Sequence, residues 1–128
     1  MPCIRDGRGL RYRRVKGDYS VESGEFAVHT LRDSPLDGVF AAGDLMAAGV
    51  LRALHHAGRR VPHDVAVIGF DDTPVAALLY PPLTSVRQPA SEMGAAAAEL
   101  AMGLLSGAVA EPVTVQPQLI RRASTAPP

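Results

Sequence analysis

The sequence predicts an α/β domain built on a largely parallel sheet, and three observations predict it. Val65-Ala66-Val67-Ile68-Gly69-Phe70 is apolar without alternation, as a strand covered on both faces should be. A second short apolar run, Gly38-Val39-Phe40-Ala41-Ala42, lies between turn signals ahead of it. Between the two, residues 44–57 carry Leu45, Met46, Val50, Leu51 and Leu54 at helical spacing. Strand, helix and strand with short joins make a βαβ unit, in which the helix returns the chain for parallel pairing.

Size and composition bound what such a domain can be. At 128 residues there is room for one modest core. An apolar content of 47% argues against wholesale disorder. Zero formal net charge removes the global electrostatic case for nucleic-acid binding. One cysteine, Cys3, excludes a disulfide framework and any multi-cysteine metal site. There is no apolar run long enough to span a bilayer and no signal-peptide pattern at the start, so the expected place is the cytoplasm. Charge is unevenly placed. Residues 1–16 hold six basic side chains against Asp6 alone, a net of +5, which leaves −5 for the rest.

Along the chain, residues 1–14 read as a basic arm without helical or strand period, although Tyr12 to Val15 could begin a short strand. Ser20 is placed to cap a helix over 21–32, with Glu22 and Glu25 near its positive end and Ser34-Pro35 closing it. Residues 38–42 are the first strand of the βαβ unit. Asp44 is placed to cap the helix over 44–57, and Gly58 stands where a C′ glycine belongs. Residues 65–70 follow as a strand, and the chain then reads as irregular through Tyr80-Pro81-Pro82. A short strand is expected over 83–87 and a helix over 89–105, with Met93, Ala97, Leu100, Ala101 and Leu104 on one face. A last strand over 113–120 is interrupted by Pro117, which suits an edge or a bend. Arg121 to Pro128 reads as a polar tail.

Three polar clusters follow strand-like runs: Asp18-Tyr19-Ser20, Gly43-Asp44 and Asp71-Asp72. In an open parallel sheet the carboxyl ends of the strands share one rim, where ligands bind. Carboxylates accept hydrogen bonds from hydroxyls or amines, and an aromatic ring offers a flat apolar face to a sugar or base. Asp44 reads as a helix cap and Asp72 as a turn residue bonded to nearby backbone. Asp71 and Tyr19 stand evenly between local roles and ligand contact, and Gln88 would face solvent by default. No GxSxG, HExxH, Walker A or GxGxxG pattern is present. Adjacent His55 and His56 point about 100° apart on a helix, which is poor for one metal. His29 and His63 lack ligand spacing, and Cys3 has no spaced histidine partner. No metal, cofactor or catalytic residue is expected, and the basic arm reads as solvated.

The run from Asp37, DGVFAAGDLMAAGVLRALHHAGRRVPHDVAVIGFDDTPVAALLYPPLTSVRQP, resembles the effector-binding domain of the LacI/GalR bacterial transcription repressors. VPHDVAVIGFDD and PPLTSVRQP carry most of the likeness, and GDYSVESG and LIRRAST extend it over residues 15–125, leaving the arm 1–14 and a tail 126–128. The resemblance implies a truncated periplasmic-binding-protein-like type I fold, here its three-layer, Rossmann-like C-terminal subdomain. It implies a small effector, sugar-like or purine-like, in the cleft of the intact protein, with Tyr19 stacking on it and Asp71 and Gln88 bonding to it. Gly43 stands where many members have an asparagine that contacts ligand. It also implies a homodimer, with helix 44–57 as a candidate contact, and operator DNA bound only through an N-terminal domain absent from this chain. Residues 89–105 would pack on a partner subdomain. An enzyme is not expected. Two alternatives are a transporter's solute-binding protein and a small free-standing α/β protein or enzyme.

Overall fold

The computed structural model describes residues 4–5, 11–109 and 111–125. A small hairpin pairs β1 (Ile4–Arg5) with β2 (Arg11–Tyr12) antiparallel. The expected strand over Tyr12 to Val15 is not formed, and residues 13–18 are irregular. Arg13 and Arg14 are both exposed there, with no core face for a strand to cover. Cys3, most of the basic arm and residues 126–128 lie outside the described residues.

The main body follows the sequence closely. Helix α1 (Val21–Leu31) starts at Ser20, whose hydroxyl accepts from the Ser23 N–H at 3.1 Å. Strand β3 (Gly38–Phe40) leads into α2 (Asp44–His56). That helix ends in a Schellman arrangement, with Gly58 at φ +70, the Gly58 N–H on the His55 carbonyl and the Arg59 N–H on that of Leu54. Strand β4 (Ala66–Asp71) follows. A short helix, α3 (Pro74–Leu78), occupies a stretch expected to be irregular. Five residues are too few to show a period, and only the Thr73-Pro74 pair, an N-cap before an N1 proline, marks it. Then come β5 (Thr84–Arg87), α4 (Ala90–Leu105) and β6 (Gln118–Ile120), which begins just past Pro117.

The sheet order is β3-β4-β5-β6, the first three parallel and β6 antiparallel on the edge of β5. One face packs on α2: Ala41, Val65, Val67 and Leu83 meet Ala47, Val50, Leu51 and Leu54 in the core. Helix α1 lies so close to α2 that a Cβ on Gly24 would stand 2.1 Å from the Met46 carbonyl oxygen. A Cβ on Gly49 would stand 1.9 Å from that of Val21. The opposite face carries Phe40, Ile68, Phe70, Val86 and Leu119 without a helix over it among the described residues. Phe40 is 63% exposed and its ring meets Phe70 edge-on at 6.2 Å. Strand β4 was expected to be covered on both faces, and here one covering layer is present.

Two further expectations need correction or completion. Residues 121–125, expected as part of a polar tail, are tied into the sheet. Ser124 is fully buried, donates to the Val67 carbonyl at 2.6 Å, accepts from the Thr84 N–H at 2.8 Å and exchanges backbone bonds with Val67 and Pro82. Its hydroxyl and backbone satisfy groups of β4 and β5 that would otherwise be unpaired in the interior. Helix α4, by contrast, buries none of its residues. Its apolar face, expected to pack on a partner subdomain, is exposed within this chain.

Candidate functional site

Because β3, β4 and β5 are parallel, the segments leaving them emerge at one rim. Gly43 follows β3, Asp71 ends β4, and Gln88 follows β5. Tyr19 arrives from the loop before α1, carried there by the close seating of α1 on α2. A Cβ built on Gly43 would lie 3.4 Å from Tyr19 Cδ1 and 3.8 Å from Asp71 Oδ2. Gln88 Nε2 donates to Asp71 Oδ1. The structure thus brings together Tyr19, Gly43, Asp71 and Gln88, four positions spread over seventy residues of sequence.

The backbone at this rim is unusual. Among the described residues, the non-glycine positions with positive φ are Tyr19 (68°), Asp71 (99°) and Asp72 (54°). Such conformations persist only where the surroundings enforce them, and they concentrate at binding sites. At Tyr19 the enforcement is local. Asp18 Oδ1 accepts from the Ser20 N–H at 3.1 Å and from the Ser20 hydroxyl at 2.5 Å, and the Asp18 N–H donates to Ser23 Oγ. The Ser20 hydroxyl bond holds the Asp18 carboxyl below its ordinary pKa. The result is a tyrosine ring that is 65% exposed at the rim.

Beneath Asp71 the support is buried. Asp44 was expected to cap α2, but the N-cap is Gly43 and no side chain caps that end. The Asp44 carboxylate, 2% exposed, instead turns inward across the strand ends. Its Oδ2 accepts from the Thr73 N–H at 2.6 Å and the Thr73 hydroxyl at 2.9 Å, and its Oδ1 accepts from the Ser85 hydroxyl at 2.6 Å. Ser85 Oγ in turn accepts from the Asp72 N–H at 3.1 Å. Gly69 makes this possible, since a Cβ there would stand 2.5 Å from Asp44 Oδ1. Asp44 therefore ties α2, β5 and the loop after β4 together.

Asp72 also departs from expectation. Its side chain does not bond to nearby backbone; it is 1% exposed and lies between two guanidinium groups. Arg87 Nη2 is 2.6 Å from Asp72 Oδ2, and Arg122 Nη1 is 2.7 Å from Oδ1, an ion pair out of line with a hydrogen bond. Burial pushes the Asp72 carboxyl up, but Arg122 and Arg87 outweigh it and hold it below the usual carboxylate value. Sequence reasoning missed Thr73, Ser85, Arg87 and Arg122. Thr73 directly follows GFDD, which was a signal for it, while Ser85 stands thirteen residues past Asp72 and Arg122 fifty, so neither leaves a local trace.

The rim combines an exposed aromatic face, a carboxylate with one oxygen engaged, and an amide. That set suits a ligand with hydroxyl or amine donors and one apolar face. No cluster of three metal-ligating side chains occurs among the described residues, and none of the described helices is long and apolar enough to cross a membrane.

The profile of the periplasmic binding protein-like domain matches residues 4–125. The chain is similar to the HTH-type transcriptional regulator CelR of Thermobifida fusca, 48% identical over 99 residues, covering 76% of this chain and 29% of that protein. Among solved structures it resembles a transcriptional regulator CelR–cellobiose complex, with TM-score 0.76, 45% identity and coverage of 84% of this chain and 34% of that one. It also resembles a LacI family transcriptional regulator from Arthrobacter sp. FB24 in complex with lactose. There the TM-score is 0.71 at 45% identity, over 84% of this chain and 42% of the other. The chain spans about a third of the length of these relatives.

Proposed function

The chain belongs to the periplasmic binding protein-like domain family, among the LacI-type regulators, and from that premise we propose that it forms one wall of the effector site of a sugar-responsive transcriptional regulator. The observation that carries this reading is the convergence of Tyr19, Gly43, Asp71 and Gln88 at the carboxyl rim of the parallel strands. The Tyr19 ring stacks on the apolar face of a sugar. The Asp71 carboxylate accepts from its hydroxyls, and Gln88 both orients Asp71 and offers its amide. Solved relatives hold cellobiose and lactose, which favours a sugar over a purine. Effector binding in the intact cytoplasmic regulator shifts a two-state equilibrium by a coupling of about 1–3 kcal/mol. Operator DNA is contacted by a segment outside this chain, and the rim residues act in binding, not in turnover.

Nuclear magnetic resonance of this chain, titrated separately with sugars and with purine nucleosides, tests the reading. Sugar-dependent shifts should centre on the amides of Tyr19, Gly43, Asp71 and Gln88, at millimolar affinity because only one wall is present. Shifts confined to other surfaces, or produced by purines alone, would overturn it.

The regulator is further proposed to be a homodimer. Helix α2 buries most of its apolar side chains within the chain, so the surface beside it is the better contact: Leu45 is exposed on α2, Leu78 at the end of α3, and Tyr80 just past it at 95% exposure. Sedimentation should show a dimer that Tyr80→Asp dissociates; a monomer at micromolar concentration would contradict it.

A further inference from the structure

We infer that Asp72 is the positioning residue of this rim: held between Arg87 and Arg122, it fixes the left-handed turn that presents the Asp71 carboxylate to a ligand. The inference rests on the sugar-site reading above and goes beyond it, since a side chain as buried as that of Asp72 meets no ligand itself. Its basis is the backbone of Asp71. A φ of 99° lies beyond the small left-handed region, centred near about 57°, that aspartate visits. The Asp71 side chain does not hold it there, because that side chain is exposed and its one bond among the described residues is accepted from Gln88. The restraint comes from the two peptide planes that flank Asp71. The plane before it belongs to β4, which is paired in register with β5 up to Asp71 and Arg87. The plane after it carries the Asp72 N–H, which donates to Ser85 Oγ at 3.1 Å.

The Asp72 side chain completes the frame. Arg87 Nε donates to Asp72 Oδ2 at 2.8 Å, and Arg122 Nη1 stands 2.7 Å from Oδ1. Arg122 is itself tied down. Its Nη1 donates to the Leu83 carbonyl at 2.7 Å, its N–H donates to Thr84 Oγ1 at 2.8 Å, and its carbonyl accepts from that hydroxyl at 2.9 Å. The Asp72 carboxylate is therefore pinned to both ends of β5, through Arg122 at its start and Arg87 at its close. A buried ion pair is a weak source of net stability, since lost hydration offsets much of the attraction; what it supplies here is fixed direction. The same strand end serves both acids, because Arg87 holds Asp72 and the next residue, Gln88, donates to Asp71. With Asp72 in place, both planes around Asp71 are fixed and its carboxylate has one arrangement. Without that charge, the second plane is held by Ser85 alone, and Asp71 relaxes away from the rim.

The experiment titrates the full chain and three variants with cellobiose and with lactose, read by nuclear magnetic resonance. Thermal unfolding followed by circular dichroism sets a temperature at which each is folded. Asp72→Asn keeps the size of the side chain and its tolerance of positive φ while removing the charge. It should move the ligand-free Asp71 Cα shift and weaken sugar binding by about tenfold, the worth of one charge-assisted hydrogen bond. Arg122→Gln leaves Arg87 on Asp72 and should do both to a smaller degree. It carries the test if Asp72→Asn does not fold, and an unmoved Asp71 shift there would overturn the inference. Asp64→Asn removes the Arg60–Asp64 pair at the opposite end of β4 and should leave the Asp71 shift and the affinity as in wild type. A folded Asp72→Asn chain that binds within about twofold of wild type, or whose Asp71 shift is unmoved, would overturn the positioning role while leaving the sugar site in place. So would an equal loss of affinity in Asp64→Asn, the mark of general destabilisation. Absence of sugar-dependent shifts at the rim of the wild type would overturn the sugar site, and the ligand-free Asp71 shift would then decide the positioning role by itself.

Discussion

Replacing Asp44 by alanine should destabilise the chain more than almost any other single polar change. The carboxylate is 2% exposed and accepts from three donors, the Thr73 N–H, the Thr73 hydroxyl and the Ser85 hydroxyl. Alanine leaves these donors facing a hole from which the acceptor has gone. A buried donor left unpaired costs about 1–3 kcal/mol, and the three share one site, so the sum is less than additive and comes to about 3–5 kcal/mol. A domain of this size has a total of about 5–15 kcal/mol. Asp44→Asn should cost about half as much. Its amide oxygen can serve Thr73, and its NH2 can donate to Ser85 Oγ, which has a second lone pair beside the one used by the Asp72 N–H. Urea unfolding reads both. With a slope of about 2 kcal/mol per molar, alanine should lower the midpoint by about 2 M with the slope unchanged. An alanine variant within about 0.5 kcal/mol of wild type, or an asparagine variant worse than alanine, would refute the reasoning.

Other outcomes follow from neighbouring features. Gly49→Ala should lower stability by about 1–3 kcal/mol in thermal unfolding, since its Cβ would meet the Val21 carbonyl oxygen at 1.9 Å and force α1 off α2. Ser20→Ala removes the cap of α1 and should cost about 1 kcal/mol by the same measurement. Asp72 has a folded pKa below its unfolded one, so its contribution is fully present above about pH 4 and is lost as pH falls below that. Acid titration of wild type and Asp72→Asn should therefore show a stability gap at pH 7 that narrows towards strongly acidic pH. Leu104→Ser, on the exposed α4, should change stability by less than about 0.5 kcal/mol.

The parts of the fold that were legible in the sequence are those built from local signals. The unalternating Val65 to Phe70 run, the helical spacing of Leu45 to Leu54, and Ser20 and Gly58 at helix ends each act within a few residues, and each has its counterpart in the structure. The five-residue α3 is too short for a period. The second covering layer expected for the sheet is not set by β4 alone, because an apolar strand looks the same whichever chain segment covers it. The misreadings of Asp44 and Asp72 share one cause. A carboxylate at a helix start or in a turn satisfies local rules, and only the approach of Thr73, Ser85 and Arg122 from distant segments turns it inward. At the rim, the residue types were readable, and the position of Gly43 between Tyr19 and Asp71 was not, since it depends on how α1 seats on α2.

The most direct measurement of the central claim is the affinity of Tyr19→Ala for whichever sugar perturbs the rim of the wild type. The ring is exposed and held by the Asp18–Ser20 bonds rather than by the core, so its removal leaves the fold intact. Loss of the stacking face should weaken binding at least about tenfold while the unfolding midpoint stays put. An unchanged affinity in a folded Tyr19→Ala chain would contradict the account.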